Sequence, residues 1–318
     1  MKIGFIAHHP GSANTLTNLI HQLGMREGNE IYAYGFIPYI ESVWGKDCYY
    51  DDTTFSTTTD VPKDLDVLFY CAASNKPNEN VIPRFCKENN IVSISIIDLF
   101  DLSDDNILTR YAYVPDVIIT PDEITRQQLF RLGIPAFVLN LGNPHFDNFT
   151  CKKKLDKKRT EFPITASYIS YPASSDLLCD TAESSKEIIK ELLSYIKNYP
   201  NIEKLYICTH PRESPEWLDN FLRENADLLK GRIQLNPYEN TTKACEDSDV
   251  IIGYNSTVLY EQAMSGKPVI FWSNAENLVE DLHAIEAITP PNIQITEDAA
   301  TKITTFLNAL NLNRLKYI

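Results

Sequence analysis

No stretch of this 318-residue chain approaches the roughly 18–20 consecutive apolar residues of a membrane-spanning helix. The opening residues MKIGFIAHH read as a strand followed by polar residues, not as a signal peptide. Cysteine is sparse: Cys48, Cys71, Cys86, Cys151, Cys179, Cys208 and Cys245 are scattered, odd in number and without a CxxC pair. That usage excludes a disulfide framework and a cysteine zinc site, and places the chain in a reducing, cytoplasmic setting. Six histidines form no HExxH pair, so a zinc-hydrolase helix is absent as well. Basic side chains are in deficit, 29 against 43 acidic ones, for a net charge of −14 and a pI near 4.9. A nucleic-acid partner is disfavoured by that balance. The first 150 residues are the more acidic part, with 19 acidic against 10 basic side chains.

What the chain does contain is a repeated alternation of short apolar runs and amphipathic stretches. In the first half the runs are residues 2–7 (KIGFIA), 30–36 (EIYAYGF), 66–71 (DVLFYC), 91–97 (IVSISII), 116–120 (DVIIT) and 136–139 (AFVL). Strands starting 20–36 residues apart with helices between them predict a parallel sheet under right-handed crossovers. Residues 151–159 (CKKKLDKKR) break the pattern and read as a solvated connector, with a basic membrane-facing patch as the alternative. The alternation then restarts at residues 164–170 and continues through 204–209, 233–235, 250–253 and 269–272, with a closing helix over 298–311. The predicted organisation is a first domain over 1–150, a linker over 151–162 and a second domain over 163–318. In this reading the last helix packs back on the first domain, both halves are Rossmann-like α/β domains, and their parallel sheets face each other across a cleft.

The most informative stretch is DVIIGYNSTVLYEQAMSGKPVIFW, residues 249–272. It reads as strand, tight loop, helix, Gly-Pro turn and strand, one βαβ unit. The loop of such a unit lies at the carboxyl edge of the sheet, where free N–H groups at the helix start favour a phosphate. Asn255, Ser256 and Thr257 stand at that start, and Glu261 follows one turn later, where a carboxylate can bind ribose hydroxyls. The plainer reading is that Asn255 or Ser256 caps the helix and Glu261 is solvated. Two more loops fall at the same edge: Ser174-Ser175, and His210-Pro211-Arg212-Glu213. Hydroxyls, an imidazole and a guanidinium converging on a helix start suit a phosphate carrying a nucleoside.

The first domain opens with an analogous loop after its first strand, in which His9, Gly11, Ser12 and Asn14 are candidates to meet a second substrate. A Pro-Gly turn with Ser12 or Asn14 as helix cap is the alternative. No GxGxxG is present there, so a dinucleotide fingerprint is missing. Asp98 is delivered to the carboxyl end of a central apolar strand, where a carboxylate can take a proton from an incoming hydroxyl. Asp101, Asp104 and His9 compete with it for that role.

Two α/β halves, GNPHFD (142–147), THPRE (209–213) and NSTVLYEQAMSGKPVIF (255–271) together resemble GT-B-fold glycosyltransferases. More narrowly, an HP motif followed by a Ser-Thr motif is similar to bacterial sialyltransferases, polysialyltransferases, and CDP-glycerol or Kdo transferases of surface-glycan synthesis. The resemblance implies that His210 assists departure of the nucleotide and that Ser256 and Thr257 hold its phosphate. It also implies that Glu213, Pro237 and Tyr238 face the base and ribose, with Glu261 a further ribose ligand. It implies neither metal nor other cofactor beyond the nucleotide-sugar substrate. The acidic pair plus glycine that supplies the general base in sialyltransferases is not matched: Asn106, Ile124 and Thr53 follow the acidic pairs here.

The resulting expectation is a metal-independent, inverting glycosyltransferase. Its donor would be a CMP-activated nonulosonate or a UDP-sugar, and its acceptor a glycan or lipid-linked glycan. The alternatives are an isomerase or hydrolase of the UDP-N-acetylglucosamine 2-epimerase type, and a non-catalytic nucleotide-sugar-binding subunit. The expected location is the cytoplasm, with peripheral attachment to the inner membrane face left open.

Overall fold

A computed structural model describes residues 1–7, 10–35, 61–71, 81–97, 113–150, 163–170, 185–199, 201–209, 216–224, 231–253, 256–271, 296 and 298–310. The chain divides into two compact units, Met1–Asn148 with Ile293–Ile318, and Phe149–Asn292. The expected connector, residues 151–162, lies outside the described residues. So do residues 272–295.

The first unit is built on six parallel strands: β1 (Lys2–Ala7), β2 (Glu30–Gly35), β3 (Val67–Cys71), β4 (Val92–Ile96), β5 (Val117–Thr120) and β6 (Phe137–Asn140). They lie in the order β2-β1-β3-β4-β5-β6. Strands β3, β4 and β5 are buried along their whole length, as continuous apolar runs in a sheet covered on both faces must be. Alternate residues serve opposite layers. Phe5 and Phe69, stacked at 5.2 Å, pack with Leu16, Leu19 and Leu23 of α1 (Pro10–Gly24). Ile6, Leu68 and Tyr70 pack the other way, with Ile82 and Phe85 of α2 (Val81–Asn89) and Leu129 of α3 (Glu123–Arg131). Pro83 sits in the first turn of α2, where its missing N–H costs no helical bond.

Helix α1 begins at Pro10, not near Leu16 as the apolar spacing suggests. Proline at a first helical position is preorganised for the helix, and Ser12, Ala13 and Thr15 already face the core. The predicted Pro-Gly loop is therefore the first helical turn.

Three strands begin at the valine of the same dipeptide, Asp-Val, and the aspartate has the same task each time. A carboxylate oxygen of Asp66 accepts the N–H of Lys2, that of Asp116 the N–H of Ser93, and that of Asp249 the N–H of Thr165, all at 2.8 Å. Each closes an amide at the amino edge of the neighbouring parallel strand and pins the register there.

The segment GNPHFD is a clamp. Gly142 has φ +93°, and a Cβ there would stand 2.4 Å from the Thr296 carbonyl oxygen and 2.8 Å from Ala299 Cβ. Asn143 accepts the His145 N–H at 2.9 Å and starts the turn Pro144–Phe146, whose Phe146 is buried. The short helix α4 (Asp147–Thr150) follows. Its Asp147 carboxylate accepts the N–H groups of Ala299 and Ala300 at 2.8 Å each.

The second unit holds five parallel strands: β7 (Ile164–Ile169), β8 (Ile202–Cys208), β9 (Ile233–Leu235), β10 (Val250–Gly253) and β11 (Val269–Phe271). Helices α5 (Ser185–Asn198), α6 (Glu216–Glu224), α7 (Thr241–Glu246) and α8 (Thr257–Met264) alternate with them. The order is β11-β10-β7-β8-β9. Two cations close helix ends here. Arg232 donates to the carbonyls of Ile196 and Tyr199 at the end of α5 and to that of Ile202 at the start of β8. Lys267 donates to those of Cys245, Glu246 and Ser248 at the end of α7. The last helix, α9 (Ala299–Ala309), returns to the first unit and sets Ile303 and Leu307 against the α1 layer.

Candidate functional site

In the second unit, chain order and spatial order reverse between β7 and β10. From β7 the chain proceeds to β8 and β9 on one side, then crosses to β10 and β11 on the other. Such a switch point opens a crevice beyond the carboxyl ends of its two strands. The register brings those ends level: Gly253 pairs with Ile169, and Ile169 with Cys208. The chain therefore leaves β10, β7 and β8 side by side. Gly253 permits a close approach, since a Cβ there would lie 3.0 Å from the Ile169 carbonyl oxygen and 3.0 Å from Leu259 Cδ2.

From β10 the chain passes into α8, whose first turn opens at that edge. Ser256 is the cap in extended conformation, its Oγ accepting the Val258 N–H at 3.4 Å. Capping and ligand binding are compatible here, because an accepting hydroxyl still has its own proton to donate. Thr257 is the first helical residue and Glu261 lies one turn on, both half-buried. Lys267, a sequence neighbour of this site, is directed elsewhere: it is the cap of α7, and burial lowers its pKa. That role has no signal in the sequence, because its carbonyl partners lie about twenty residues away.

Pro237 and Tyr238 follow β9 at the same carboxyl edge, Pro237 exposed and Tyr238 half-buried. The structure thus brings Ser256, Thr257, Glu261, Pro237 and Tyr238 to one side of one sheet. Ser174, Ser175, His210, Pro211, Arg212, Glu213 and Asn255 lie outside the described residues. So do His9 and Asp98 in the first unit. Strand β4 does run towards position 98, with Ile97 buried and its N–H bonded to the Ile119 carbonyl at 3.0 Å.

Gly11, Ser12 and Asn14 occupy the start of α1, after β1 and next to β3, the two strands at which the first sheet reverses. Gly11 is exposed, Asn14 half-buried and Ser12 fully buried. The Ser12 carbonyl accepts the Cys71 thiol from the end of β3 at 3.7 Å.

Among the described residues, no group of three or more His, Cys, Asp or Glu side chains is arranged to hold a metal ion. Burial pushes the Cys208 and Cys245 thiols up to about 12, which suits packing and not nucleophilic attack. No described helix is long and apolar enough to cross a membrane.

No protein-family model matches the chain, and no curated protein sequence does. Its fold does match solved structures over nearly the full length. The UDP-GlcNAc 2-epimerase of Neisseria meningitidis, bound to UDP-GlcNAc, aligns with TM-score 0.66 over 98% of this chain and 100% of its own, at 15% identity. MurG of Acinetobacter baumannii aligns with TM-score 0.60 over 97% and 99%, at 10% identity. A glycosyltransferase from Rickettsia africae aligns with TM-score 0.57 over 99% and 95%, at 12% identity. The fold is thus GT-B-like, with two parallel-sheet α/β domains.

Proposed function

We propose that the chain is a metal-independent enzyme that breaks the bond between a sugar and the phosphate of its nucleotide, seating that phosphate against the start of α8. The observation that carries this reading is the level alignment of the β10, β7 and β8 ends at the switch point, with Ser256 and Thr257 at the opening of a helix. Free N–H groups, two hydroxyls and the positive end of α8 stabilise the charge that collects on the departing phosphate. His210, next after Thr209 at the end of β8, is assigned to donate to that phosphate, and Glu261 to the ribose.

In the transferase form of the reaction, Asp98 takes the proton of an acceptor hydroxyl. That oxygen then bonds to the anomeric carbon as the sugar–phosphate bond breaks on the opposite face, inverting the centre. A CMP-activated acidic sugar or a UDP-sugar is the donor in this reading, and a surface glycan the acceptor.

A second reading, an epimerase or hydrolase acting without acceptor, is favoured by the full-length fold match to an epimerase holding UDP-GlcNAc. Both readings begin with loss of the nucleotide, so one nucleotide site serves either.

The test is a melting-temperature screen against CMP, CDP, UDP, GDP and ADP, repeated with His210→Ala. Ligand at a hundred times its Kd stabilises by about 2.7 kcal/mol. A shift with CMP or UDP that shrinks in the variant supports the site, and absence of any shift overturns it. Turnover of UDP-GlcNAc without acceptor selects the second reading.

A further inference from the structure

The loop after β9, Asn236-Pro237-Tyr238-Glu239-Asn240, is tied at every turn. The Asn236 N–H donates to the Ile207 carbonyl at 2.9 Å, fastening the loop to the end of β8. The Asn236 side chain accepts the Tyr238 N–H at 3.0 Å and donates to the Asn240 carbonyl at 3.3 Å. Asn240 in turn caps α7 through the Lys243 N–H at 2.9 Å. The Tyr238 ring meets the Tyr206 ring edge-on at 5.7 Å, and its hydroxyl donates to the Asp247 carboxylate. The other Asp247 oxygen lies 3.5 Å from the Lys243 ammonium. Asp247 sits at the far end of α7, so the tyrosine spans the base of the loop from one end of that helix to the other.

The loop stands three strands from β10, about 14 Å at the usual strand spacing, the reach of a nucleoside whose phosphate rests on α8. We propose that Asp247 is a positioning residue that fixes the loop through the Tyr238 hydroxyl, so that a bound nucleoside meets the exposed Pro237 and the loop backbone, not the Tyr238 hydroxyl. This inference rests on the proposed nucleotide site. A loop already fixed in shape loses little freedom when ligand arrives, and loosening it weakens binding without touching the phosphate end.

The test measures Kd for UDP and CMP by calorimetry on the full chain, together with ligand-free melting temperature. Tyr238→Phe and Asp247→Ala are each expected to weaken nucleotide binding roughly three- to tenfold, the worth of one polar contact. Asp247→Asn, which keeps an acceptor for the hydroxyl, restores affinity. Ligand-free melting temperature moves by no more than a few degrees, because the hydroxyl–carboxylate bond is exposed. Wild-type affinity in both variants overturns the positioning role while leaving the nucleotide site standing. A large fall in melting temperature with unchanged affinity also overturns it, marking the pair as purely structural. If the wild type binds neither nucleotide, the site itself fails, and the inference with it.

Discussion

At the scale of single residues, side chains beside the proposed site are spoken for by the fold. Lys267 follows α8 closely, yet three carbonyls at the end of α7 take its ammonium. Tyr238 is held by Asp247, and the exchange is mutual. The Tyr238 hydroxyl holds the Asp247 carboxyl below the usual carboxylate range, and Asp247 raises the phenol above its ordinary 10.0. For the carboxyl, the stabilisation is present above the unfolded value, near 3.9, and is lost as pH falls through the lower folded value. The phenol contributes below 10 and loses its contribution as pH rises through the higher folded value. The Asp247 carboxyl carbon resonance should therefore titrate below the ordinary aspartate midpoint and move up towards it in Tyr238→Phe. An unchanged midpoint in the variant would show that the hydroxyl is not the cause.

At the scale of elements, most strands and helices were legible, because continuous apolar runs mark strands buried on both faces, and Gly and Pro mark their ends. The start of α1 was not: a Pro-Gly pair reads as a turn until it is known that Ser12 and Thr15 are buried, which only the packing decides. Helix α9 shows a similar division. Its length is visible in the apolar spacing, but its start is not self-made. Asp298 has φ +57° and makes no side-chain capping bond, and Asp147 caps the helix from 152 residues away. Burial raises the Asp147 pKa, against the pull of the two N–H groups it accepts. Asp147→Ala should cost about 0.5–2 kcal/mol, as loss of a helix cap does. Hydrogen exchange should quicken at Ala299 and Ala300 while α3 and α8 keep their protection. Equal exchange in variant and wild type would mean that the clamp does not hold the helix.

At the scale of the whole molecule, the first unit is discontinuous, since α9 comes back to it after the second unit is complete. Ile303 and Leu307 are fully buried with the α1 layer, so deleting residues 298–318 removes two large aliphatic core side chains, worth about 4–10 kcal/mol together. Calorimetry of that deletion should show the first unit's transition lowered or lost and the second unit's unchanged. A single shifted transition would show that the loss of α9 is not confined to the first unit. What the sequence determined by itself is local: a two-part α/β chain, its strand order along the polypeptide, and the strand–loop–helix–strand unit around Ser256, because periodicity and Gly-Pro punctuation act over a few residues. Only the tertiary structure decided the rest. Sheet order and register set β10 beside β7 and bring Tyr238 to the same edge as Ser256. Packing gave GNPHFD to the clamp, Lys267 to a helix end and Asp-Val to the strand starts. Each of those assignments depends on a hydrogen-bond partner between about twenty and more than a hundred residues away, and no local pattern encodes a partner at that distance.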